Sequence, residues 1–147
     1  MSDESEADVA AIREVIARQF ANISWSQEQQ PDWAAFEADF LPGAVLCPAS
    51  RPVRPKSVEV FVERMKGVAA DKVESLRETL LGAEIRVFGN VAIAMATCGM
   101  VENGGDPQRG VEAILLVRED GLWRIAAQAW DMERPGLTVP TTLLDAG

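Results

Sequence analysis

LRETLLGAEIRVFGNVAIAMATCGMVENGGDPQRGVEAILLVREDGLWRIAAQAWD, residues 76–131, decides the fold. Apolar side chains recur along it with the two-residue period of a β-strand, and the interruptions are turn sequences. Gly89-Asn90 and Asp120-Gly121 are two-residue hairpin signals, because such turns need the left-handed backbone that Gly, Asn and Asp tolerate best. Asn103-Gly104-Gly105-Asp106-Pro107 is a longer turn. The segment therefore reads as a meander of four strands at 76–87, 91–102, 111–118 and 122–131, with a bulge placed at Gly82.

Upstream the period lengthens to that of a helix. Val9, Ile12, Ile16, Phe20 and Ile23 are spaced by three and four and share one helical face, with Ser5 or Asp8 as the cap. Pro31-Asp32 breaks the chain and caps a short second helix carrying Trp33, Phe36 and Phe40, which Pro42-Gly43 ends. Residues 44–47 form a short strand, and Ser57 caps a third helix built on Val58, Phe61, Val62, Met65 and Val68. Three helices followed by hairpin-linked strands make an α+β fold whose mostly antiparallel sheet is covered by helices on one face. Ala113, Leu115 and Val117 alternate with Ile114 and Leu116, so both faces of the sheet are apolar. The face away from the helices needs a partner, and a second copy of the chain is the simplest one.

The 147 residues are expected to form one domain over 1–147, with its core at about 7–134 and an irregular tail at 135–147. Apolar residues are 48 % and charged residues 25 %, and no apolar run is long enough to cross a bilayer. A net charge of −9 disfavours nucleic acid and anionic lipid as partners. There is no His and no Tyr, which removes imidazole bases, His-paired nucleophiles, imidazole metal sites and phenol acids. Cys47 and Cys98 lie far apart in apolar stretches and read as reduced, buried thiols. The acidic start, Met1 to Glu6, lacks the basic and apolar regions of a secretory signal, so a cytoplasmic protein is expected. Eleven arginines against three lysines suit a GC-rich bacterial genome.

The order of elements, with PDWAAFEADFLPGAVL after the first helix and LLVREDGLWRIAAQAWDME at the end, resembles the NTF2-like superfamily, and most of all its SnoaL-like and DUF4440-type bacterial members. The resemblance runs over about 7–133, strongest at Phe36 and Phe40 and at Asp120-Gly121-Leu122-Trp123-Arg124-Ile125. It implies a cystatin-like cone: a curved, mostly antiparallel sheet wrapped around three N-terminal helices, a dimer through the sheet, and a pocket at the wide end. Such domains include isomerases, dehydratases, hydrolases, cyclases and plain binding or dimerisation modules, so the fold leaves enzyme and non-enzyme readings open. Carried over from ketosteroid isomerase, the tyrosine position falls on Phe20, the base beside Cys47-Pro48 and the protonated aspartate on Leu115, so all three groups are missing. A dehydratase of the scytalone type would need the tyrosines and histidines that the chain lacks. No Asp-Arg-Asp set of the limonene epoxide hydrolase type can be assembled from the inward strand positions.

The same resemblance lines the cone with Phe20, Val62, Cys98, Met100, Leu115, Gln128 and Trp130, an apolar pocket for a small, largely apolar molecule or a packed core without a cavity. Asp131, at the end of the last strand, and Glu102, near Arg109 at the pocket mouth, are the candidate bases. Strand alternation turns Asp131 outward if Trp130 points inward, and Glu102 with Arg109 also reads as a surface ion pair. Arg51, Arg54 and Lys56 form a basic loop that could guide a weakly anionic ligand or simply lie in solvent. Trp25 and Trp33 flank a polar insert, Gln27 to Gln30, that could cover the opening. No glycine-rich phosphate loop and no carboxylates at metal spacing are present, so no cofactor and no metal is expected. Three functions follow: a dimeric binder of a small apolar molecule, a cofactor-free isomerase, cyclase or hydrolase with a carboxylate base, or a structural, partner-binding dimer.

Overall fold

The computed structural model describes residues 3–71 and 73–145. In chain order it contains α1 (Asp3–Asn22), α2 (Trp33–Ala38), β1 (Phe40–Pro48), β2 (Lys56–Ser57), α3 (Val58–Asp71), β3 (Leu76–Phe88), β4 (Val91–Glu102), β5 (Gln108–Glu119) and β6 (Leu122–Met132), then a 3-10 turn at Thr141–Leu143. The six strands make one curved, unclosed sheet in the order β2-β1-β6-β5-β4-β3, and the fold is the α+β NTF2-like cone. Strands β3 to β6 are the antiparallel meander that the turn sequences announce. Gly89, Asp120 and Gly121 all have positive φ, as tight hairpins joining right-twisted strands require.

The helices depart from their expected limits for identifiable reasons. α1 starts at Asp3, so Ser5 and Asp8 lie inside it. Asp8 instead accepts hydrogen bonds from Arg118 Nη1 at 2.6 Å and Trp123 Nε1 at 3.2 Å, tying α1 to the sheet. Asp32 and Ser57 do cap their helices, accepting from the backbone N–H groups of Ala35 and Val60. α2 stops at Ala38, well before Pro42-Gly43. Arg18 grips the Asp39 carboxylate in a fork at 2.7 and 3.0 Å, and the Asp39 carbonyl accepts from the Ile125 N–H, which commits the chain to the sheet at once. Pro42 and Gly43 therefore fall within β1, where the register breaks and Gly43 takes φ +82°. β1 runs parallel to β6, the one parallel pairing among the described strands, and β2 adds a two-residue edge that local patterning does not show.

The concave side is filled by Ile12, Ile16 and Phe20 of α1 with Phe36, Leu46, Leu116 and Ile125, all fully buried. Two bulges decide which residues face this interior. In β3 the unpaired residue is Leu81, between Leu80 opposite Cys98 and Gly82 opposite Thr97, next to the expected position. In β6 Ala126 is skipped, because Leu115 pairs with Ala127 and Leu116 with Ile125. One extra residue reverses strand parity. Trp123 and Ile125 point inward before the bulge, and Gln128 does so after it. The tail is more ordered than its sequence suggests: Thr97 donates a hydrogen bond to the Leu143 carbonyl at 2.6 Å, and the Asp145 N–H donates to Leu81 at 2.8 Å. Among the described residues no helix is long and apolar enough to cross a membrane.

Candidate functional site

A cavity of about 330 Å³ lies between the sheet, α1 and α3. Its walls are mainly apolar: Phe36, Phe61 and Trp130 form an aromatic side, with Phe36 stacked on Phe61 at 5.7 Å and Phe61 edge-on to Trp130 at 5.8 Å. Trp25 closes another side. Its backbone pairs with Leu76 and its indole N–H donates to the Val73 carbonyl at 2.9 Å, so Trp25 is fixed in the wall, while Trp33 packs edge-on against Phe36 in the core.

Into this apolar space project two glutamates. Glu112 of β5 shares parity with Ile114 and Leu116, and Glu78 of β3 with Leu76 and Leu80, so alternation carries both carboxyls to the concave face. Cys98 lies between them on β4, and one ligand-capable atom from each of Glu78, Cys98 and Glu112 falls within 4.8 Å of the others. Glu112 is held by Gln128 Nε2, which donates to its Oε1. Gln128 is itself fixed by a reciprocal amide pair with Gln19 of α1, at 2.8 and 2.9 Å. The Cys98 thiol donates to Glu78 at 3.4 Å.

Burial dominates the electrostatics. An ionised carboxylate loses its hydration in this cone, which pushes Glu78 up to about 7 and Glu112 up to about 8, the neighbouring Glu78 charge adding to the rise at Glu112. The hydrogen bonds from Cys98 and Gln128 act the other way and are outweighed. Burial and the two carboxyls also hold the Cys98 thiol far above its ordinary range, so it remains an S–H donor. With no cation touching either carboxyl among the described residues, no opposite charge offsets their burial, and near neutrality the folded chain keeps protons on the pair that free glutamates would have lost. The three side chains have the spacing of metal ligands, a cluster that the linear sequence does not display; a metal there would have to displace the thiol proton and compete with the amide on Glu112.

Of the residues expected to line the pocket, Cys98, Met100, Gln128 and Trp130 do so. Phe20 and Val62 are packed in the solid core beside it. Leu115 is on the opposite face of the sheet, 43 % exposed, because the inward positions of β5 are Gly110, Glu112, Ile114 and Leu116. The position carried over to it from the isomerase is thus one step out of register with the cone. Asp131 points outward and pairs with Arg134 at 2.8 Å, which holds its carboxyl below the usual range. Glu102 reaches the cavity edge as an exposed group. Arg109 pairs with Glu133 at 3.1 Å rather than with Glu102. The sequence signal for the missed pair was present: each glutamate interrupts an apolar stripe of its strand, where a solvated face would not place aliphatic neighbours.

No protein-family model matches the sequence, and no curated protein matches it. Solved structures do match over nearly the whole chain. A Silicibacter pomeroyi NTF2-like protein of unknown function is 17 % identical, covers 90 % of this chain and 100 % of its own, and has a TM-score of 0.64. A Nostoc punctiforme protein of unknown function with a cystatin-like fold is 16 % identical over 89 % and 94 %, at 0.70. A hexachlorocyclohexane dehydrochlorinase from Novosphingobium barchaimii is 14 % identical over 91 % and 95 %, at 0.68. At these identities the likeness is one of fold.

Proposed function

We propose that this NTF2-like fold binds a small, largely apolar molecule in its cone and moves a proton on it with the Glu78–Glu112 pair. The observation that carries the reading is two carboxyls within 4.8 Å of each other in a mainly apolar cavity. Retaining two such groups where solvation is poor is expensive for stability alone, and it is the arrangement that gives an acid and a base at one pH. The ionised member takes a proton from an activated carbon of the bound molecule, and the protonated member donates to the oxygen or leaving group on which charge develops. Gln128, positioned by Gln19, keeps Glu112 aimed into the cavity. The dehydrochlorinase with this fold is named for a reaction that removes a proton and a chloride from a small apolar ring, chemistry of the class proposed here.

A neutral apolar carbon acid such as β-tetralone tests the proposal by exchange of its acidic hydrogens in heavy water. Exchange should exceed the buffer rate and fall by about 100-fold in Glu78→Gln and in Glu112→Gln, the usual order of effect for a lost acid or base. Exchange at the buffer rate, or equal exchange in wild type and both variants, rejects it.

We further infer that two copies pair through the outer sheet face. Val45, Ile93, Met95 and Leu115 stand there at 41–55 % exposure, and Ala113, Ala127 and Ala129 lie between them. A continuous apolar sheet face of this kind is costly in water and is covered most simply by its own two-fold copy.

A further inference from the structure

The residues between β1 and α3 build a second, basic compartment against the mouth of the cone. Arg51 and Arg54 of the loop, Lys56 of β2 and Arg64 of α3 line a groove of about 430 Å³. Phe61, Met65, Val68 and Trp130 line both this groove and the apolar cavity, so the two share one wall. The concentration of charge is out of keeping with the chain, whose net charge is −9. None of the four cations makes an ion pair among the described residues. Lys56 Nζ donates to the Arg54 carbonyl at 3.2 Å, a neutral partner that leaves its charge in place. Asp131, which feels Arg51, is paired to Arg134, and Glu63 is paired to Lys66.

We propose that the groove takes the oxyanion head of the same molecule whose apolar body fills the cone, so that the ligand class is an amphipathic anion rather than a neutral hydrocarbon. Arginine forks suit planar or tetrahedral oxyanions, and a cluster of cations without salt-bridge partners among the described residues of an acidic protein focuses such a ligand on one entrance. The geometry also orients the ligand. A head held at Arg54 and Arg64 leaves the body to pass Trp130 and Phe61 toward Glu78 and Glu112, and places the negative end away from the carboxyl pair that would repel it. This assignment rests on the cone reading above and adds to it a polar end and a direction.

Two fluorescent probes that differ by one sulfonate separate the claims: anilinonaphthalene sulfonate and neutral phenyl naphthylamine, titrated against the full chain. The anionic probe should bind about tenfold more tightly than the neutral one, and lose that advantage in Arg54→Gln/Arg64→Gln and in high salt, while the neutral probe is unmoved by either. Met100→Trp, which fills the cavity, should weaken both. Decanoate and decyl phosphate then compete for the anionic probe and identify the preferred head, with decanol as the neutral control. Equal affinities that ignore salt and the arginine changes, or displacement by decanol as effective as by decanoate and decyl phosphate, overturn the anionic end while the cone reading stands. Binding of both probes that is indifferent to Met100→Trp overturns the cone reading and this assignment together. The salt titration of the unaltered protein decides the point even if a variant folds poorly.

Discussion

A carboxyl that is protonated in the folded chain and ionised in the unfolded one ties stability to pH, and Glu78 and Glu112 are both of this kind. Their ordinary value is 4.5, and the fold raises them to about 7 and about 8. Between these limits the folded state binds more protons than the unfolded one, so stability falls as pH rises from about 4.5 to about 8 and levels off above. Glu112→Gln mimics the protonated form and should flatten this decline. Denaturant melts at pH 5 and pH 8.5 are expected to show wild type losing about 4 kcal/mol more than the variant, from roughly 1.4 kcal/mol per unit of displacement. Asp131 and Glu133 have the opposite sign: arginine partners depress both, so whatever they contribute is lost as pH drops below the ordinary carboxylate range. At this scale the sequence was least legible. The family resemblance points to Cys98, Met100, Gln128 and Trp130 as lining, but it says nothing of Glu78 and Glu112, whose approach depends on how β3, β4 and β5 pair.

The elements were far more legible, because most of them end at local signals. The turns at Gly89-Asn90 and Asp120-Gly121 specify their hairpins through backbone conformation alone, and β4 spans Val91–Glu102 as its alternation indicates. What escapes local reading is pairing between distant segments. The parallel alignment of β1 with β6 depends on Asp39 meeting Ile125, and the β6 bulge at Ala126 is visible only against β5. That bulge has a functional consequence, since it turns Gln128 inward toward Glu112 and leaves Asp131 outside. The β3 bulge serves the tail. A Cβ on Gly82 would lie 2.7 Å from Asp145 N and from Leu144 Cα, so the last turn docks only over a glycine. Gly82→Ala should therefore destabilise the chain by about 1–3 kcal/mol, the range for forcing an atom into packed structure, with amide exchange at Leu143, Leu144 and Asp145 rising more than in β4. Unchanged exchange there would show that the tail is held by other contacts.

The whole molecule is a sheet with two apolar faces of different fate. One is closed over by helices and encloses the carboxyl pair; the other is bare in a single copy. Ile93→Asp, at the middle of the bare face and remote from the cavity, should convert a dimeric native mass to a monomeric one in light scattering, with the secondary structure retained. A wild-type monomer at micromolar concentration would refute the pairing. The general architecture was readable from the change of period along the chain, because hydrophobic alternation reports burial directly. The content of the cone was not, because it depends on the register of three strands and two bulges acting together. The functional reading depends on a cone that raises two neighbouring carboxyls toward neutrality. Carboxyl-carbon NMR of the glutamates, assigned through Glu78→Gln and Glu112→Gln and followed from pH 3 to pH 9, measures that rise directly. Two resonances are expected to titrate in coupled steps well above the ordinary range, around pH 7 to 8. Both groups titrating near their ordinary 4.5 would contradict it.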